Sequence, residues 1–337
     1  MSSIRRGLFI ALSAGATIVV AVVAVVAVLV IRDLSRKPPP AHAGTPPRAS
    51  GYFAPRDAGS WSRLPDDQEC ARRVHRSSWE PRPDNAAPNG RMPGPDEVHS
   101  ALARRPRARF GAYDPRWDTW LLPRVTGHHI GTTDENIQWA ACKWGLADNL
   151  LRAIAFRESS WFQYETYPDG RCVLQHGCGD MIESPTTASG EYCSGLSRHG
   201  HDYTTDFGAG VCPRTFSIVG VMSWQDPAWG RMAANQNGTF PFNRDSTAFA
   251  LDYLGAVLRG CQEGWMRWLG ARGAHYGPGH LWGCVGVWYT GAWWSVDSHR
   301  YVALVRSAER RRPWLDPAWA ELSPSCSAEF GCPVGGP

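Results

Sequence analysis

The chain has 337 residues, 35 Lys+Arg against 31 Asp+Glu, 26 Pro, ten Cys and 43% hydrophobic content. This excludes whole-chain disorder and an extreme polycation, permits two domains, and leaves a formal charge of +4, too slight to argue for a nucleic-acid partner. Tryptophan stands out: 17 copies against 11 Phe and 10 Tyr supply flat amphipathic rings, most of them for a core and some for a groove that stacks a carbohydrate or similar ring.

Residues 7–31 carry no charge and follow Arg5 and Arg6. At about 1.5 Å per residue this run reaches roughly 37 Å, enough for a single tilted transmembrane helix and longer than the apolar region of a secretory signal. The expectation is an uncleaved N-terminal signal anchor over 1–37. Ala41-His42-Ala43 offers the competing reading of a cleavage site and a secreted form. Flanking charge does not orient the helix, because Arg32, Arg36 and Lys37 balance Arg5 and Arg6. The cysteines do: all ten follow the anchor, none forms C-x-x-C, and a disulfide-bonded extracytoplasmic domain on the cell membrane is expected rather than a zinc site. Cys261 is paired with Cys284 and Cys326 with Cys332 in this reading.

A Pro-rich linker and irregular extension is expected over 38–112, tied down mainly through Cys70 and Trp79. Its Arg104, Arg105, Arg107 and Arg109 read as a solvated cluster. Helical patterning begins at Thr132, where T-x-x-E has the capping-box spacing and Ile137, Ala140, Ala141 and Trp144 follow. Gly145 interrupts it. Asp148 is expected to cap a second helix with Leu151, Ile154 and Ala155 on its apolar face and Glu158 one turn on. Residues 162–216 hold eight Gly and four Cys with little periodicity, and read as a stapled irregular insertion serving as a lid or cleft wall. An apolar strip, Phe216–Met222, precedes a helix from Asp245 or Ser246 whose face carries Phe249, Tyr253, Leu254 and Cys261. Trp282, Val285, Trp288 and Tyr289 form another stripe, a last helix is expected over Ser298–Arg311, and 313–337 reads as a tail.

Glu158 is the candidate catalytic residue. It ends an apolar helix in Ala155-Phe156-Arg157-Glu158-Ser159-Ser160-Trp161, where desolvation would raise its pKa and keep a proton available for a glycosidic oxygen. The alternative is a surface ion pair with Arg152 or Arg157. These residues also carry a resemblance. Glu158-Ser159-Ser160-Trp161 is similar to the E-S-x-[FW] motif of bacterial soluble-type lytic transglycosylases, of the lysozyme-like superfamily. Gly220-Val221-Met222 resembles that family's G-L-M-Q segment, and Trp288-Tyr289-Thr290-Gly291 its A-Y-N-x-G loop. The motifs fall in the family's order over about 113–312.

The resemblance implies a mainly α, two-lobed lysozyme-like domain, a peptidoglycan glycan strand as partner, and cleavage of its β-1,4 bonds with a 1,6-anhydromuramoyl product. Glu158 would act as the only acid and base, and no metal or cofactor would be used. It also implies a glycan cleft shaped by Met222, Ser223, Gln225, Trp288, Tyr289 and Trp161. Ser223 stands where the family has Gln, with Gln225 two places on. Tyr289, rather than Trp288, is expected to hydrogen-bond near the acid. Two rival functions remain: a muramidase drawing a second carboxylate from Glu165, Asp169, Asp180, Glu183, Glu191, Asp202 or Asp206, and a glycan-binding protein without turnover. The His199/His201 and His128/His129 pairs could in principle ligate a metal, but short His pairs in loops are usually incidental.

Overall fold

The computed structural model describes residues 51–104, 112–224, 237–270 and 275–320. The apolar run 7–31, Gln225, Cys326 and Cys332 lie outside these residues, as do Arg105, Arg107 and Arg109. Among the described residues no helix is long and apolar enough to cross a membrane.

The chain is mainly helical. The longer helices are α1 (Asp67–Arg73), α2 (Pro95–Arg104), α3 (Thr133–Trp144), α4 (Asp148–Ser159), α5 (Thr187–Ser197), α6 (Thr247–Gln262), α7 (Leu281–Thr290) and α8 (Val296–Arg311). Three short strands, β1 (Cys178–Met181), β2 (Pro213–Phe216) and β3 (Val221–Met222), form one antiparallel sheet in the order β1-β2-β3. Its register pairs Cys178 with Phe216 and Thr215 with Met222.

The helix ends follow local chemistry. Thr132 caps α3 by accepting from the Glu135 backbone N–H while Glu135 returns the bond, and left-handed Gly145 stops the helix. Ser246 caps α6 through the Phe249 N–H. Asp148 is not the N-cap of α4, as its sequence position suggested. Ala147 holds that place without a side-chain bond, and Asp148, already inside the helix, turns its carboxylate to other partners. Those partners are the backbone N–H groups of Gly51, Tyr52 and Phe53 at 3.0–3.2 Å and the guanidinium of Arg152.

Helices α3 and α6 form the centre of the core. Every residue of α3 is buried, so it has no solvent face to balance the apolar stripe read from its sequence. Its polar groups are paired internally: Lys143 Nζ lies 2.8 Å from Asp252 and 2.5 Å from Asp67, and the Trp144 indole donates to Asp252 at 2.7 Å. Gly255 allows this close approach, since a β-carbon there would stand 2.3 Å from the Trp144 ring.

Residues 51–104 are part of this core, and the boundary expected at 113 is not a structural one. Cys70 is bonded to Cys142 of α3, and Val74, Trp79, Val98 and Leu102 are buried in the same apolar cluster as Trp139 and Ile154. Cys70 and Trp79 do tie this stretch down, but α1 and α2 give it more regular structure than its prolines suggested.

The 162–216 segment is likewise more ordered than an irregular loop. It contributes β1, β2 and α5, with Cys172–Cys178 and Cys193–Cys212 as its disulfides. Tyr192, Leu196, Tyr203, Phe216 and Trp224 form a second apolar cluster of their own. Cys261 pairs with Cys284, joining α6 to α7 as expected.

Candidate active site

Glu158 occupies the last turn of α4, and the chain reverses directly after it. Ser160 and Trp161 both adopt left-handed backbone, at φ 52° and 70°. Their N–H groups cap the carbonyls of Phe156 and Ala155 at 3.2 and 3.3 Å. A tryptophan disfavours that conformation and is held in it by its surroundings. Its indole donates to the Arg152 carbonyl at 3.0 Å, its carbonyl accepts from Asn85 at 2.7 Å, and its ring packs among Trp79, Trp314 and Trp319. Trp161 is fully buried, so it does not line a cleft as a substrate ring. It is the anchor that fixes where α4 ends.

Opposite Glu158 lies the turn between β2 and β3. Gly220, at φ +65°, brings its backbone so near that a β-carbon would sit 3.0 Å from Glu158 Oε2. The turn is held from several sides. Ser159 Oγ donates to the Ile218 carbonyl at 2.9 Å, the Trp288 indole donates to the Val219 carbonyl at 3.0 Å, and Asn243 donates to the Val221 carbonyl at 2.8 Å. Gln163 braces it further by accepting from the Ile218 N–H at 3.2 Å and donating to the Asn243 carbonyl at 2.7 Å.

On a third side stands Tyr301 of α8, whose hydroxyl donates a short hydrogen bond to Glu158 Oε1. The ring of Tyr289, at the C-terminal end of α7, stacks on that of Tyr301 with centroids 4.5 Å apart and planes 3° from parallel. Tyr289 was the residue expected to bond the acid; the structure gives the bond to Tyr301 and leaves Tyr289 as an open platform, 60% exposed. Sequence reading missed Tyr301. Its one signal was a tyrosine one helical turn before Val305 on the buried side of a helix, where a hydroxyl needs a partner.

Burial raises the Glu158 carboxyl from 4.5 to about 7; the Tyr301 hydrogen bond opposes this, the negative charge of Asp180 adds to it, and Arg157 opposes it. The residue keeps partial contact with solvent. Arg152 takes no part, being clamped by Asp134 and Asp148. The site therefore holds a carboxyl that keeps its proton in about half of the molecules near neutrality, beside an exposed aromatic ring and a bare stretch of backbone. That combination can donate a proton to a leaving oxygen.

The remaining expected residues divide. Met222, two residues from Gly220, is partly exposed, as is Trp288. Ser223 is buried, with its hydroxyl accepting from Asn243 at 2.7 Å, so it cannot touch a substrate and acts as an internal brace. Of the insertion acids, Asp180 is the one whose charge reaches Glu158. Glu165 pairs with His176 at 2.6 Å, Asp169 with Arg171, and Asp206 with His201, while Glu183, Glu191 and Asp202 face solvent. No protein-family model matches this chain, and neither a curated protein nor a solved structure matches it.

Proposed function

We propose that the protein is a peptidoglycan lytic transglycosylase in which Glu158 serves as both acid and base, on a lysozyme-like domain held at the outer face of the cell membrane by the 7–31 segment. The observation that carries the reading is the Glu158 carboxyl itself: at a helix end, raised to about 7 by burial, hydrogen-bonded by Tyr301 and facing Gly220. The protonated acid gives its proton to the bridging O4 as the C1–O4 bond breaks. The resulting carboxylate then takes the proton of the muramoyl C6 hydroxyl as that oxygen closes on C1, which yields the 1,6-anhydro end and restores the acid. Such general acid catalysis supplies roughly two to four orders of magnitude in rate.

The expected result is that full-length protein in detergent releases 1,6-anhydromuropeptides from sacculi and that Glu158→Gln loses activity by about that factor. An active Glu158→Gln protein overturns the assignment. Asp180, exposed on β1 beside the strand that leads into the Gly220 turn and 3.6 Å from Arg214, motivates a second reading, a muramidase in which Asp180 handles the water. Products with free reducing ends, and loss of turnover in Asp180→Asn, select the second reading. Anhydro products with activity retained in Asp180→Asn select the first.

A further inference from the structure

Arg157 stands one residue before the acid, in the last turn of α4, and the fold makes no use of its charge. Other arginines of the surrounding core are committed. Arg152 is clamped by Asp134 and Asp148, Arg82 donates to the Ser160 and Trp319 carbonyls at 2.9 and 3.2 Å, and Arg244 is paired with Asp245 at 2.6 Å. Arg157 forms no ion pair or hydrogen bond through its side chain among the described residues, not even with Glu158.

The residue is half-buried. The Nε edge of its guanidinium is enclosed by protein, whereas the two terminal nitrogens neither bond within the described fold nor are shut off from water. A cation with one edge out of water is screened less than one in bulk solvent, so a pair made at its open edge is stronger than an ordinary surface pair. The guanidinium belongs to the Glu158 site. Its charge reaches both Glu158 and the Tyr301 hydroxyl, and among the described residues it is the one cation that favours the ionised form of the acid.

A planar fork of uncommitted N–H donors takes an oxyanion, and a carboxylate can meet both terminal nitrogens in a bidentate pair. Phosphate fits such a fork as well, but the charged groups of a muramoyl glycan are carboxylates. We propose that Arg157 is a specificity-determining residue that binds a carboxylate on the muramoyl appendage of the glycan, so that acid-bearing strands are taken in preference to neutral ones. That carboxylate belongs either to the lactyl ether itself, where the peptide has been removed, or to the stem peptide attached to it. The choice of a muramoyl glycan as ligand rests on the reading of Glu158 as a glycan-cleaving acid.

The test is equilibrium binding of fluorescently labelled glycan strands to the full-length Glu158→Gln protein in detergent, so that binding is read without turnover. The probes are peptide-stripped strands with free lactyl carboxylates, peptide-bearing strands, and each of these with its carboxyls capped as methylamides. Uncapped strands of at least one kind are expected to bind about tenfold tighter than their capped form. Adding Arg157→Gln should reduce that preference to less than about twofold while leaving capped strands bound as before, and Arg157→Lys, a point charge in place of the fork, should keep part of it, each variant being checked for native circular dichroism. A preference confined to stripped strands assigns the lactyl carboxylate, and one confined to peptide-bearing strands assigns the stem peptide. No preference in the parent protein, a preference that survives Arg157→Gln, or equal weakening of capped and uncapped strands overturns the proposal. If wild-type protein fails to cleave sacculi while the preference and its loss are observed, the glycan-cleaving reading fails and the carboxylate site stands.

Discussion

At Glu158 two requirements meet in one carboxyl: it must hold a proton near neutrality, and holding it bears on stability. Its folded-state pKa of about 7 lies above the ordinary 4.5, so the native state binds the proton more tightly than the unfolded state does. The stabilisation is complete below about 4.5 and is lost as pH rises through 7. Glu158→Gln is therefore expected to melt higher than wild type at pH 8 and about equally at pH 4, as thermal denaturation at the two pH values would show. Tyr301 works against burial by stabilising the ionised carboxylate. Tyr301→Phe should push the Glu158 pKa further up and move the falling, alkaline limb of the pH–rate profile to higher pH, along with a lower maximum. An unmoved limb would show that the tyrosine does not govern the acid. The rise at Glu158 follows from the apolar helix it ends, but the part of Tyr301 could not be read from the order of residues, because it lies 143 positions away from the carboxyl it bonds.

Local signals marked the elements well where a short-range rule governs them. Thr132 and Glu135, Gly145, and Ser246 each satisfy backbone groups a few residues away, and the helix limits fell there. Asp148 misled because the same side chain that caps helices can instead collect distant N–H groups, here those of Gly51–Phe53. The stretch ahead of residue 104 was illegible for a related reason. It is held by the Cys70–Cys142 bridge and by buried Glu80 and Arg82, which contact residues far along the chain. Ser223 and Trp161 were legible as parts of motifs but not as buried parts, since a motif records which residues recur and not which way they face. At this scale the β2–β3 turn is the sensitive element. Gly220→Ala should cut glycan cleavage at least tenfold, because the new methyl meets Glu158 Oε2 and the positive φ adds strain of about 1 kcal/mol. The Cys193–Cys212 bridge spans 19 residues, and replacing both cysteines by serine should cost about 3 kcal/mol. Hydrogen exchange should place that loss in the second apolar cluster, with α3 and α6 unchanged.

Across the whole molecule, two buried carboxyls share one tendency. Glu80, enclosed far from solvent, is raised to about 7 by burial despite hydrogen bonds from Thr133 and Arg82. Together with Glu158 it should make the folded protein lose stability between about pH 4.5 and 7, by on the order of 1–3 kcal/mol per group. Urea titrations of wild type and Glu80→Gln over that range measure it, the variant losing less only if Glu80 gives up its proton within the fold. The clasp between Asp148 and Gly51–Phe53 has a mechanical consequence. The polypeptide arriving from residue 50 is fastened to the first turn of the 12-residue rod whose final turn presents the acid. A pull on the leading stretch is thus received at the base of that rod, and its working end, pinned by the Trp161 plug, need not shift under load.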